Sequence, residues 1–220
     1  MIRVLSGLLA VCVLGSVEAR AADRAAELYK FCATCHGDKG EGRKIGELSL
    51  PAIAGLFAWY TEAQLTKFKN GHRGAHPNDS KGLLMRPMAR TLTSKEDVKL
   101  IAAYVESLPR KKSDKRVKGD LVRGKYYYTS ICMSCHGEKF EGNSDPSVAA
   151  PSHRPLDDWY MVEQLQKFQS GIRGANGKDT TGARMRPIIK DVLPQLAQSR
   201  KSTTDEAMRD VVAYIYSKRE

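Results

Sequence analysis

The sequence predicts an all-α protein made of two small domains in tandem. Apolar residues recur at helical spacing in several segments, and no convincing alternating strand pattern occurs. The chain also repeats itself at an interval of one hundred residues. Long stretches rich in glycine and proline separate the helical segments. They leave each half with about three helices and little apolar surface to bury by itself.

The first twenty-one residues stand apart from this plan. MIRVLSGLLAVCVLGSVEARA carries Arg3, an apolar run from Val4 to Val17 and a small-x-small end at Ala19-Arg20-Ala21. That is the pattern of a cleaved export signal, residues 1–21. The apolar run is short for a membrane span, and a retained N-terminal anchor is the alternative. Cys12 lies inside it, and the bulky Val11 beside it disfavours a lipid-acylated cysteine, so Cys12 leaves with the signal. The four other cysteines all fall in two motifs, which leaves no pair for a separate disulfide framework.

The remaining chain divides into a domain at 22–109, a basic linker at 110–118 and a second domain at 119–220. Pro109 ends a helical pattern, and RKKSDKRVKG is charged, poor in apolar residues and closed by glycine. Residues 22–31 form a helix running into the first cysteine motif, and 119–131 do the same in the second half. Thr61-Glu62-Ala63-Gln64 reads as a capping box opening a helix that Gly71 stops. Thr93-Ser94-Lys95-Glu96 opens another, with Val98, Ile101, Val105 and Leu108 on one face. Thr203-Thr204-Asp205-Glu206 repeats that start ahead of Met208, Val211, Val212 and Ile215.

The repeat register is ungapped from Cys32 to Pro87. Cys32, Cys35, His36, Gly37, Glu41 and Gly42 fall on the same residue types one hundred positions later. So do Pro51, Trp59-Tyr60, Gln64-Leu65, Lys67-Phe68, Gly71, Arg73-Gly74-Ala75 and Met85-Arg86-Pro87. The final helices align at an offset of one hundred and ten, because DVLPQLAQSRKS (191–202) carries extra residues.

Three chemistries compete for CATCH (32–36) and CMSCH (132–136). A redox dithiol needs only the cysteines and normally sits in a βαβ unit, which is absent here. A zinc site needs four ligands and would have to pool the two motifs. The histidine directly after the second cysteine favours the third, attachment of haem c. Two intervening residues let one helical turn present both thiols, and the next residue places an imidazole under the iron. Cys32, Cys35, Cys132 and Cys135 are then the thioether sites, with His36 and His136 as axial ligands. A large apolar cofactor in each half would also supply the core that so few helices lack.

The register narrows the sixth ligand. His72, His76 and His153 have no histidine at their repeat partners, and Met88 faces Ile188. Met85 pairs with Met185, each before Arg-Pro, so Met85 and Met185 are the candidates. The carbonyls of Pro51 and Pro151 are candidate acceptors for the proximal Nδ1–H. Arg73 and Arg173 are candidate partners for haem propionates, and Trp59, Tyr60, Trp159 and Tyr160 for the haem edge.

The formal charge of +11 falls by one when the signal is removed. Nucleic acid is a poor match for an exported chain. Acidic redox partners, an anionic lipid surface, giving peripheral membrane association, and acidic groups of the cofactor are the remaining meanings of that charge.

CATCHGDKGEG, PAIAGL, WYTEAQLTKFKNGHRG, MRPMARTLTSKED and AAYVESL resemble one class I cytochrome c domain. The tandem arrangement resembles the diheme cytochrome c4 family over essentially the whole chain after the signal. The resemblance implies two class I cytochrome c folds, each wrapped around one covalent haem c. It further implies electron transfer in the periplasm, from an upstream reductase toward a terminal respiratory oxidase at the membrane. A cytochrome subunit of a sulfide- or alcohol-oxidising dehydrogenase is the alternative. A diheme peroxidase or thiosulfate-oxidising enzyme is disfavoured by the paired methionines. The chain departs from the pattern at 191–202 and at His153-Arg154, which replaces Ile53-Ala54.

Overall fold

The computed structural model describes residues 5–110 and 117–219. The N-terminal half contains α1 (Leu5–His36), a hairpin of β1 (Arg43–Ile45) and β2 (Leu48–Leu50), α2 (Ala58–Lys69), α3 (Ser80–Thr91) and α4 (Lys95–Ser107). The C-terminal half contains α5 (Leu121–Tyr127), α6 (Met133–His136), α7 (Asp158–Ser170), α8 (Thr180–Pro187), α9 (Leu193–Ser199) and α10 (Thr204–Lys218). The mostly helical class is the one predicted. Of the linker expected at 110–118, residues 111–116 lie outside the described residues.

Each half is built on a crossing of its first and last helices, α1 on α4 and α5 on α10. The apolar stripe read from Val98 to Val105 is the buried face of α4, and Met208, Val211, Val212 and Ile215 are that of α10. Both helices begin on side-chain caps. Ser94 accepts from the Asp97 amide, and Thr203 and Glu206 form a reciprocal capping box. An Arg24–Asp97 ion pair at 3.1 Å ties α1 to α4, and Arg123–Asp210 at 2.7 Å ties α5 to α10.

Three local expectations need correction. The helix expected to open at Thr61 begins earlier, at Ala58, with Phe57 as an N-cap that makes no side-chain hydrogen bond. Packing of the aromatic pair Trp59-Tyr60 outweighs the capping signal, and Thr61 lies inside the helix with a buried, unpartnered hydroxyl. The Gly/Pro-rich stretches conceal a further helix per domain, α3 and α8, each with a proline inside it. A short antiparallel hairpin forms around Gly46, too brief for an alternation signal. The insertion at 191–202, whose form the sequence left open, is partly helical. A π-helical turn (Ile188–Val192) leads into α9, which buries Leu193 and Ala197, while Ser202 pairs with the Tyr127 hydroxyl at 2.7 Å.

The repeat hides a one-residue slip. Tyr29 donates to the Gly37 carbonyl at 2.8 Å, and Tyr128 donates to the Gly137 carbonyl at 2.6 Å. These equivalent tyrosines lie ninety-nine residues apart, whereas the cysteines lie one hundred apart. A π-helical turn at Tyr128–Cys132 absorbs the extra residue without breaking the helix.

At this offset Gly124 is the equivalent of Ala25. Ala25 packs in the core, but a Cβ on Gly124 would collide with the Asp210 carbonyl oxygen on α10. Helix propensity alone would make Gly124→Ala stabilising by about 1 kcal/mol. The close backbone approach reverses the sign. We expect destabilisation of the C-terminal domain by about 1–3 kcal/mol, read as a lower denaturation midpoint for that domain.

Candidate functional site

Cys32 and Cys35 lie on the last turns of α1, and Cys132 and Cys135 on the π-helical turn and α6 that continue α5. Cys32 and Cys132 pack against the core, and Cys135 is exposed. Burial pushes the Cys32 thiol up to about 11 and the Cys132 thiol up to about 12. A dithiol that exchanges disulfides needs a thiolate near neutral pH, so these environments oppose that chemistry.

The two histidines occupy matched environments. His36 Nδ1 lies 2.8 Å from the Pro51 carbonyl oxygen, and His136 Nδ1 lies 2.9 Å from that of Pro151. A carbonyl only accepts, so each Nδ1 carries the proton and each Nε2 offers its lone pair. Burial lowers the pKa of both imidazoles, which holds them in the neutral, ligating form.

In the N-terminal domain these groups face a cavity of about 460 Å³. Cys32, Cys35 and His36 line it, together with Met85 and Met88 of α3. Met85 and Met88 thus both reach the space, whereas the paired positions of the second domain are Met185 on α8 and Ile188 just beyond it. Neither His72 nor His76 is among the lining residues. Tyr60 and Tyr160 are, while Trp159 instead stacks under Lys81 with its ammonium 4.8 Å from the ring centre.

A glycine contact sets the methionine helix in place. Gly74 adopts φ +73°, and a Cβ there would stand 2.5 Å from the Gly82 carbonyl oxygen in the first turn of α3. The Gly-x-Arg-Gly loop therefore lies directly on that turn. Asp79 caps the turn, accepting from the Gly82 amide at 3.0 Å, and Asp179 accepts from Gly182 at 3.1 Å in the second domain.

Arg73 and Arg173 meet between the domains. Arg73 donates to Gln64 at 2.7 Å, Tyr160 at 2.8 Å and Gln164 at 2.9 Å; Arg173 donates to Gln164 at 3.0 Å and Gln64 at 3.3 Å. All these partners are neutral. Among the described residues neither guanidinium has a carboxylate within ion-pair distance, and Arg173 Nε is buried without a partner. Burial alone would raise the Tyr60 phenol, but the guanidiniums of Arg173 and Arg73 outweigh it and bring the pKa below the usual tyrosine value. An apolar cavity lined by thiols, an imidazole, thioethers and the Arg73 guanidinium, with no carboxylate in ion-pair distance of that guanidinium among the described residues, fits an apolar macrocycle with acidic groups on one edge.

Sequence reasoning singled out His153 only as a departure. Its half-buried ring stacks on the His136 imidazole, with centroids 4.1 Å apart and planes at 24°. Burial and the neighbouring His136 hold its pKa well below the usual value, and its Nδ1 has no partner. The corresponding residue beside His36 is the apolar Ile53, which lines the N-terminal cavity.

Two helical domains, each with a C-x-x-C-H turn, a carbonyl-oriented imidazole and a methionine helix, define a diheme c-type electron carrier. The chain belongs to the cytochrome c family, whose model matches residues 22–109 and again 121–218. It is 28% identical over 179 residues to a thiosulfate dehydrogenase electron acceptor of Stutzerimonas stutzeri, covering 76% of each chain. It is 35% identical over 77 residues to cytochrome c4 of Azotobacter vinelandii, covering 35% of this chain and 34% of that one. The structure of cytochrome c4 from Acidithiobacillus ferrooxidans superposes with a TM-score of 0.57 at 25% identity. That match covers 86% of this chain and 99% of the other.

Proposed function

We propose that the chain is a periplasmic electron shuttle holding one haem c in each domain. Cys32 and Cys35, and Cys132 and Cys135, form the thioethers; His36 with Met85, and His136 with Met185, are the axial ligands. The matched Pro51 and Pro151 hydrogen bonds to His36 and His136 are the observation that carries this reading, because they leave both Nε2 atoms ready to bind. The bound group supplies a one-electron Fe(III)/Fe(II) couple. The chain's own part is to hold the imidazole in one tautomer, exclude water and neutralise the acidic edge. Arg73 and Arg173 do the last of these.

Cleavage after Ala21 is part of this proposal. Ala25 is the first buried residue among those whose side chains are described. Among the described residues no helix is long and apolar enough to cross a membrane. The acceptor is proposed to be a terminal respiratory oxidase, with an upstream reductase as donor. A second reading makes a thiosulfate-oxidising dehydrogenase the donor, favoured by the relative that matches over most of both chains. Purified protein should show two haems per chain and the Met–Fe(III) charge-transfer band from both. A high-spin or bis-histidine spectrum from either haem would refute the ligand set. Stopped-flow reduction by a thiosulfate dehydrogenase, set against reduction by quinol-supplied respiratory membranes, separates the two donors.

The stacked imidazole should make the two haems unequal. A neutral ring against His136 stabilises the additional positive charge of the Fe(III) state. A stacked aromatic contact is worth about 0.5–1.5 kcal/mol, which caps the effect at roughly 60 mV for one electron. His153→Ile is therefore expected to raise the potential of the C-terminal haem alone, and Ile53→His to lower that of the N-terminal one. Spectroelectrochemical titration of each variant reads both shifts.

A further inference from the structure

The cap residues of the two methionine helices are each gripped by the opposite domain. Lys67, on α2 of the N-terminal domain, places its ammonium 2.6 Å from Asp179 Oδ1 and donates to the Thr181 hydroxyl, both at the start of α8. Lys167, on α7 of the C-terminal domain, places its ammonium 2.8 Å from Asp79 Oδ1 at the start of α3. The two contacts are reciprocal, Lys67 to Asp179 and Lys167 to Asp79, as in a two-fold interface between identical subunits.

Both carboxylates are almost completely buried, with Asp79 4% and Asp179 1% exposed. Each already spends one oxygen on the first turn of its own methionine helix. A buried carboxylate without its cation carries a large desolvation cost, which relaxes by exposing the group to water. Here exposure means moving the N-terminus of α3 or α8, and with it Met85 or Met185 one and a half turns further on. On the N-terminal side Glu163 adds a second link, pairing with Lys167 at 2.7 Å and with Lys81 in the first turn of α3.

We infer that Lys67 and Lys167 are positioning residues that act across the interface, each holding the other domain's methionine in ligating position. The inference rests on Met85 and Met185 being the sixth ligands. It makes the effect of each lysine crossed: the variant weakens ligation at the haem to which the lysine does not belong. Because coupling between two sites is reciprocal, the occupancy of one methionine bond is felt at the other domain's interface.

The test titrates imidazole into the oxidised, full-length holoprotein while following the haem methyl resonances, assigned to each haem with Met85→Ala and Met185→Ala. Lys67→Met is expected to raise imidazole affinity at the C-terminal haem roughly tenfold and leave the N-terminal haem unchanged. Lys167→Met is expected to do the reverse. The double variant Lys67→Met/Asp179→Asn removes both charges, while the amide oxygen still caps Gly182, so affinity should return to the native value. This rescue separates lost charge pairing from general misfolding. An effect on the lysine's own haem, an equal effect on both, no effect, or a double variant no better than the single one overturns the inference while the ligand assignment stands. Unchanged imidazole binding in Met85→Ala and Met185→Ala would overturn both.

Discussion

Expressed without haem attachment, the chain is expected to lose the native packing of its N-terminal domain. The cavity bounded by Cys32, His36 and Met85 holds about 460 Å³. Apolar side chains such as Leu56, Leu65 and Ile101 line it, and without the filling group their faces meet water or unfilled space, either of which costs stability. A domain of this size has a total stability of about 5–15 kcal/mol. Loss of the filling group is therefore expected to remove much of that margin. The double variant Cys32→Ser/Cys35→Ser should behave in the same way over residues 22–109. Near-ultraviolet circular dichroism and amide exchange are the measurements. Retained near-ultraviolet signal and slow exchange for Ile101, Ala102 and Val105, each about 1% exposed in the core of α4, would show that the side chains close over the space without it.

Removing one methionine should open one haem and leave the other closed. Met85→Ala is expected to let reduced protein bind one carbon monoxide per chain, where the parent binds none, and to lower the potential of that haem. A thioether favours Fe(II), and its loss also admits water to a site the chain otherwise keeps apolar. Met185→Ala should give the same stoichiometry at the C-terminal haem. The N-terminal site contains a built-in check, because Met88 lines the same cavity one helical turn beyond Met85. Met88 has Ile188 as its counterpart, so a rescue by Met88 in Met85→Ala cannot occur in Met185→Ala. Met88→Leu in the intact protein should therefore change neither spectrum nor carbon monoxide binding. If Met88→Leu opens the haem and Met85→Ala does not, the ligand assignment in that domain moves by three residues.

Much of the site was legible because its signal is local. The spacing of Cys32, Cys35 and His36 fits one helical turn, and the Pro51 acceptor was named from its repeat alone. The carbonyl contacts at 2.8 and 2.9 Å are where the repeat placed them. Other features gave little or no local signal. Pro87 and Pro187 made α3 and α8 read as loops, since proline ordinarily ends a helix. The helices form because the Asp79 and Asp179 caps and the glycine contacts at Gly74 and Gly174 fix their first turns before the proline is reached. The slip between Tyr29 and Tyr128 was invisible because the cysteine register, not the tyrosine register, dominates the alignment.

By itself the sequence determined the family-defining C-x-x-C-H motifs, the residues proposed to attach and orient the cofactor, and the duplication that pairs Met85 with Met185. These follow from covalent and ligand chemistry written in short stretches, and a repeat reads that chemistry twice. Only the tertiary structure decided how the halves meet. The grip of Lys67 on Asp179 and Lys167 on Asp79 and the guanidinium pair of Arg73 and Arg173 join residues in different domains. Their energies come from desolvation and from contacts created when two surfaces close, and no pattern along a single stretch encodes which surface will face which.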